Sequence, residues 1–287
     1  MILSQTTSCA SKFGEDKAIE IIAKAGFDAV DYCMLDLDKE DYVLNSDGYK
    51  AHALSLVEVA KRNNVYFNQG HAVGYMPHPD HDTVLKMLVD KNSRALEIAG
   101  IMGIKNLVIH PVAFGQYVGR EEYVFEKNMQ YFKTLLPYAE EYGVALACEN
   151  MWCKDPRKKV SVGGACGNPF EHARYIDEVN HPLFVACLDL GHCSLSGREA
   201  QDCIRVLGSR LGALHVHDND YLDDMHTLPG ISEMNFTEIM KALKDVDYKG
   251  DFTLETDHFF DSLNTIEETE AGMKLAELIG RKLLAQI

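Results

Sequence analysis

The chain has 287 residues, 46% of them hydrophobic, and carries 28 Lys and Arg against 44 Asp and Glu, a formal net charge of -16. That is enough chain and apolar content to bury a substantial core, as two small domains or one large barrel, and enough negative charge to repel polyanions unless a local basic patch overrides it. No run approaches the roughly 18 apolar residues of a membrane span, and Met1-Ile2-Leu3-Ser4-Gln5-Thr6 lacks the basic and then apolar pattern of a secretory leader, so a cytoplasmic protein with no membrane partner is expected.

Short β-like runs alternate with amphipathic helical stretches from end to end. The periodicity predicts strand 2–7 and helix 16–25, closed at Gly26, then strand 27–33 and helix 49–62. Strand 65–70 and helix 82–99 follow, then strand 104–109 and helix 120–141, strand 144–149 and helix 169–179. The last three units are strand 183–188 with helix 199–207, strand 211–217 with helix 236–244, and strand 251–255 with helix 265–284. No Pro/Gly/Ser-rich linker interrupts the series, so residues 1–287 read as a single domain. Eight strand-helix units with mostly apolar strands call for a parallel sheet covered by helices, and closure into an α/β (β/α)8 TIM barrel is the simplest solution. An open doubly wound sheet usually has a glycine-rich phosphate turn after its first strand, and Thr6-Thr7-Ser8-Cys9 has none. The eight cysteines form no CxxC pair, and a chain of this size needs no disulfide staples. Reduced thiols are expected, with Cys148 and Cys187 as small apolar strand residues.

In such a barrel the chemistry sits where the C-terminal ends of the strands meet. The third strand ends at Gly70-His71, the fourth at His110-Pro111 and the fifth at Glu149-Asn150. The sixth ends in Asp189-Leu190-Gly191-His192, the seventh in His215-Val216-His217, and the eighth in Glu255-Thr256-Asp257-His258. The stretch 211–226, LGALHVHDNDYLDDMH, adds Asp224 and His226 in a loop. Any one of these fits an ordinary polar strand end, but carboxylates converging from several strands repel and must be neutralised by a cation or by protonation. A metal site is therefore expected.

The chain resembles the xylose isomerase-like TIM barrels, which include sugar phosphate isomerases and epimerases and the endonuclease IV abasic-site nucleases. The likeness covers essentially the whole sequence and is most specific at CEN (148–150), LDLGH (188–192), HVHDN (215–219) and LET (254–256). In the ketose 3-epimerase branch one divalent metal is held by Glu, Asp, His and Glu from strands five to eight, which match Glu149, Asp189, His215 and Glu255. Three carboxylates and one imidazole suit Mn²⁺ first, with Mg²⁺, Co²⁺ or Zn²⁺ as alternatives, and leave positions for two substrate oxygens. The resemblance implies that Glu149 and Glu255 also act as acid and base on opposite faces of an enediolate, with a sugar or sugar phosphate as substrate. His71, His110, Trp152, His192, His217 and His226 are then expected to contact that substrate. Relatives are often homodimers or homotetramers, so such an assembly is the family expectation.

The runner-up is the abasic-site nuclease, whose three zinc ions use further ligands matching His71, His110, His192, Asp224 and His226. A nuclease needs basic groups along the phosphate path. The segment 34–48 instead has Asp36, Asp38, Glu40, Asp41 and Asp47 against Lys39, and 218–234 has five acidic residues and no Lys or Arg. That acidic mouth predicts no nucleic-acid partner. The exception is the basic run Lys154-Asp155-Pro156-Arg157-Lys158-Lys159, which reads equally as a solvated loop tip or an anion-binding lid. Trp152 could stack on a sugar face or serve the core, and Tyr75-Met76-Pro77-His78 offers a weaker candidate pocket wall. A strict 3-epimerase would carry His-x-x-Glu-x-x-Arg on strand seven, where this chain has Asp218 and Tyr221, so a sugar isomerase or a sugar or polyol dehydratase stays open.

Overall fold

A computed structural model describes residues 1–74 and 78–287. Eight strands form the sheet: β1 Leu3–Thr6, β2 Ala29–Cys33, β3 Tyr66–His71, β4 Asn106–Ile109, β5 Ala145–Glu149, β8 Phe184–Asp189, β9 Leu211–His215 and β10 Phe252–Leu254. Every ladder between them is parallel, in the order β10-β1-β2-β3-β4-β5-β8-β9. The last seam is closed by one residue. The Val216 N–H donates to the Thr253 carbonyl at 2.9 Å, and its own carbonyl accepts from the Glu255 N–H at 3.1 Å. This is the (β/α)8 TIM barrel expected, with the seventh strand regular only to His215 because its neighbour β10 is three residues long.

The helices fall where the apolar periodicity put them, at Glu15–Ala25, Tyr49–Arg62, His81–Met102, Glu121–Tyr142, Pro169–Val179, Ala200–Leu207, Phe236–Asp245 and Ile266–Leu284. Local chemistry fixes their ends. Gly26 closes the first at φ 106°, and Thr265 opens the last in a capping box with Glu268. Leu3, Val30, Leu107, Leu146, Leu214 and Phe252 point outward into the main core shared with the helices. The barrel interior is separate and narrow, filled on one side by Val108, Ala147, Cys187 and Ala213. These small buried residues form a packed layer inside the barrel. On the other side Ser4, Asn68 and Thr253 form a hydrogen-bonded polar layer. All eight cysteines are free.

Two details lay beyond the periodicity. The segment after β5 is a hairpin of β6 Trp152–Lys154 and β7 Ser161–Gly163, with Arg157, Lys158 and Lys159 exposed at its tip. A short helix, Leu190–Leu195, starts directly on Asp189, whose side chain caps the His192 N–H. Of the candidate pocket wall, Tyr75, Met76 and Pro77 lie outside the described residues. Among the described residues, no helix is long and apolar enough to cross a membrane.

Candidate metal centre

Glu149, the last residue of β5, lies at the middle of the barrel mouth and is fully buried. Its Oε1 is 2.8 Å from His215 Nδ1, and its Oε2 is 2.7 Å from His110 Nε2 and 3.6 Å from His71 Nε2. Burial alone would raise its pKa, but the His215 and His110 imidazoles hold the carboxyl well below its usual range. Burial likewise pulls His215 down, and Glu255 and Glu149 together override it and keep the imidazole well above its usual value. The Glu255 Oε2 is 3.1 Å from the same Nδ1, so the two glutamates flank one nitrogen of His215.

Asp189 sits beside them at the end of β8. Its Oδ1 accepts the His192 N–H at 2.6 Å, and both its oxygens lie 3.1 Å from His217 Nε2. Gly191 makes the last contact feasible, because a Cβ at that position would lie 1.9 Å from His217 Cε1. Gly74 does the same for His110, where a Cβ would meet Nδ1 at 2.4 Å. These glycines serve close approach rather than turn geometry.

Around this centre the remaining histidines form two further groups. His71 Nδ1 is 3.0 Å from the Ala72 carbonyl, to which it donates, so its Nε2 presents a lone pair 3.1 Å from His110 Nε2. With Glu149 Oε2 these atoms make a triangle whose spacing fits one cation held at about 2.0–2.2 Å. On the other side, Asp224 lies 3.4 Å from His192 Nε2 and 3.3 Å from His226 Nε2. His192 is lifted to about 10: burial opposes this, and Asp189 and Asp224 prevail. Trp152 donates its indole N–H to Asp224 Oδ2 at 3.0 Å, so it is fastened at the site rather than lying loose over it.

Three trios of His and carboxylate groups, His71/His110/Glu149, His71/His215/Glu255 and His192/Asp224/His226, thus have donor atoms close enough to share an ion. Among the described residues, the buried Glu149 Oε2, Asp224 Oδ1 and His226 Nδ1 face imidazole or carboxylate atoms at 2.7, 3.3 and 3.0 Å but in no case with hydrogen-bond geometry. Imidazole and carboxylate donors left unsatisfied in this way fit a divalent cation. The convergence predicted for strands three to eight is present in the fold, and His226 joins it through Asp257 Oδ1 at 3.0 Å.

Sequence reasoning passed over Asp31, gave Asn150 no role and took Asp218 for a surface acid. Asp31, on β2, is fully buried, with its carboxylate 3.6 Å from His215 Nε2. Its signal was a single acid inside the apolar run Ala29-Val30-Asp31-Tyr32. Asn150 grips the Asp189 backbone. Asp218, counted with the acidic mouth, is instead fully buried and accepts the N–H groups of Gly230, Ser232 and Met234. It shapes its loop and contributes little repulsion. Tyr221, at the position of the expected arginine, donates its hydroxyl to Glu199 Oε2 at 3.2 Å.

The family model for the xylose isomerase-like TIM barrel matches residues 19–277. The chain belongs to this family. Among characterised and uncharacterised members, it is 26% identical over 197 residues to an uncharacterized protein of Methanocaldococcus jannaschii, a match covering 67% of this chain and 64% of that protein. It is 25% identical over 256 residues to the L-ribulose 3-epimerase of Methylomonas sp. (strain DH-1), covering 86% and 79% respectively. The solved structure of the IOLI protein with a binding zinc atom superposes with a TM-score of 0.76 at 18% identity, over 98% of this chain and 99% of the other. That likeness shows the barrel fold.

Proposed function

We propose that this protein is a divalent-metal-dependent sugar or sugar-phosphate isomerase or epimerase, with Glu149, Asp189, His215 and Glu255 holding the ion. The observation that carries the reading is the placement of the Glu149 and Glu255 carboxylates at 2.8 and 3.1 Å from one imidazole nitrogen. When bound, a divalent ion supplies Lewis acidity toward a carbonyl and its neighbouring hydroxyl. Glu149 and Glu255 approach from β5 and β10 and are suited to move a proton off and onto the substrate carbon from different sides. Glu149 is fully buried and Glu255 is 13% exposed, so Glu255 is the one of the pair that solvent can reach. Family membership and the epimerase among the relatives support a small sugar as substrate. Manganese and a homodimeric or homotetrameric assembly belong to the same proposal.

The experiment is ¹H NMR of ketoses and aldoses, free and phosphorylated, in D₂O with Mn²⁺-loaded protein at catalytic amounts and the metal removed before measurement. Loss of one substrate C–H signal next to a carbonyl, with a new sugar appearing, is the expected result. A panel left wholly unexchanged would count against the reading.

One observation favours a second reading. The trios His71/His110/Glu149 and His192/Asp224/His226 extend beyond what one ion needs, and a cluster of ions is the equipment of a phosphodiester hydrolase such as an abasic-site endonuclease. Against it, Asp36, Asp38, Glu40, Asp41, Asp47 and Asp223 are exposed on the loops after β2 and β9. Elemental analysis giving three ions per chain, with incision of an abasic duplex at moderate salt, would establish the second reading and displace the first.

A further inference from the structure

We infer that Asp31 is the positioning residue for His215, the carboxylate that turns its imidazole so that Nδ1 faces the two glutamates. The inference rests on the metal-centre reading above for its consequence, but on geometry for its substance. His215 is fully buried at the end of β9, and its two ring nitrogens face opposite ways. Nδ1 lies between Glu149 and Glu255. Nε2 faces Asp31 Oδ2 at 3.6 Å. Among the described residues, neither Asp31 oxygen has a hydrogen-bond partner, nor does His215 Nε2. A fully buried carboxylate with no donor is costly, and the unpaired ring nitrogen it faces among those residues is His215 Nε2.

The placement follows from the strands. Asp31 lies in register with Thr6 of β1 and Gln69 of β3 and points into the barrel, as Ala29 does two residues earlier. The ring stacked on His215 is His71, with centroids 5.3 Å apart and planes 7° from parallel, so the imidazole is clamped in plane but needs a partner to choose which nitrogen faces the mouth. A carboxylate on Nε2–H makes that choice, leaves the Nδ1 lone pair for a cation and raises its basicity. Apolar packing alone would fix the plane of the ring and leave the choice of nitrogen open.

The test uses the full chain, Zn²⁺ as probe, and the variants Asp31→Leu, Asp31→Asn and His215→Gln. Leu is close to isosteric but leaves the buried His215 Nε2 without the group it faces, so Asp31→Leu is expected to melt lower than the parent while far-UV circular dichroism shows it folded. Zn²⁺ affinity, measured by competition with a chromophoric chelator, is expected to fall about 10- to 100-fold in Asp31→Leu, less in Asp31→Asn, and no further when Asp31→Leu is added to His215→Gln. A loss of the same size in both backgrounds would show that Asp31 does not act through His215. The second readout is independent of bound metal: a downfield, slowly exchanging proton assigned through its ¹⁵N shift to His215 Nε2, as distinct from the Nδ1 that faces the glutamates, absent from His215→Gln and from Asp31→Leu. Its presence in a parent chain that binds no divalent ion would sink the metal reading and leave the Asp31–His215 pairing standing. Its absence from the parent, or its persistence in Asp31→Leu, overturns the pairing. If Asp31→Leu does not fold, the same outcomes are read from Asp31→Asn, with a weakened rather than abolished proton signal as the supporting result.

Discussion

Asn150 completes the sheet with its side chain: its Oδ1 accepts the Asp189 N–H at 2.7 Å, and its Nδ2 donates to the Asp189 carbonyl at 2.9 Å. The ladder between β5 and β8 ends one step earlier, at Glu149 and Cys187. A side-chain amide thus takes over where the β5 backbone leaves the barrel, and it sets the spacing of the two strands that present Glu149 and Asp189.

Replacing Asn150 with Ala would leave the buried Asp189 N–H unpaired and its carbonyl with the Cys193 thiol as remaining partner. The expected loss of folding stability is about 1–3 kcal/mol. Urea denaturation checks it, and a change within experimental error would show that other groups satisfy Asp189.

Glu149→Gln and Glu255→Gln keep an oxygen donor and nearly the same shape but cannot carry the proton. Turnover is expected to fall by about 10² to 10⁴, with metal bound more weakly yet still loadable. In an epimerase, exchange of the substrate proton with solvent should become uncoupled from inversion in at least one variant. Full parental turnover in both, with metal content verified, would remove these residues from the mechanism.

Gly191→Ala tests close approach. A Cβ there collides with the His217 ring, so His217 must swing away from Asp189 or the short helix must shift. Substrate turnover is expected to drop at least tenfold while the far-UV circular dichroism is unchanged. Parental activity would show that the His217–Asp189 contact is dispensable.

Removing divalent ions should destabilise the chain, because binding to the folded state alone adds free energy that chelation withdraws. At 100 to 1,000 times the dissociation constant this corresponds to a melting-point drop of roughly 5–15 °C, reversed by Mn²⁺ or Zn²⁺. Differential scanning calorimetry with and without EDTA reads it directly.

Asp28 gives a pH dependence whose sign is fixed. Arg281 donates to both its oxygens at 2.7 and 2.8 Å and the Leu3 N–H to one at 2.9 Å, and the Arg281 hydrogen bonds hold the carboxyl below its usual value against the opposing effect of burial. A carboxyl depressed in the folded state contributes stability above its unfolded pKa and loses it as pH falls through the folded one. The group is about a third exposed, so solvent screening limits its worth to about 1 kcal/mol. Asp28→Asn is therefore expected to melt lower than the parent at pH 7, with the gap closing in the acid range below about pH 4.

The helices and most strand ends were legible in the sequence because amphipathic periodicity and cap residues are local signals. Tyr49–Arg62 and Pro169–Val179 begin and end where their apolar faces do. The ring of His and carboxylate residues was equally plain, since each stands just past an apolar run, as Glu149 does after Ala145–Cys148. What the sequence could not supply was pairing across the barrel. Asp31 and His215 are 184 positions apart in the chain and meet only because β2 and β9 face each other across the closed sheet, bringing a single acid in an apolar strand beneath a histidine. The same holds for Asp218, whose charge reads as surface acidity until the loop folds back and three backbone N–H groups enclose it. Composition determined which charges the chain carries, and burial inside a closed barrel decided which of them solvent sees and which must find a partner.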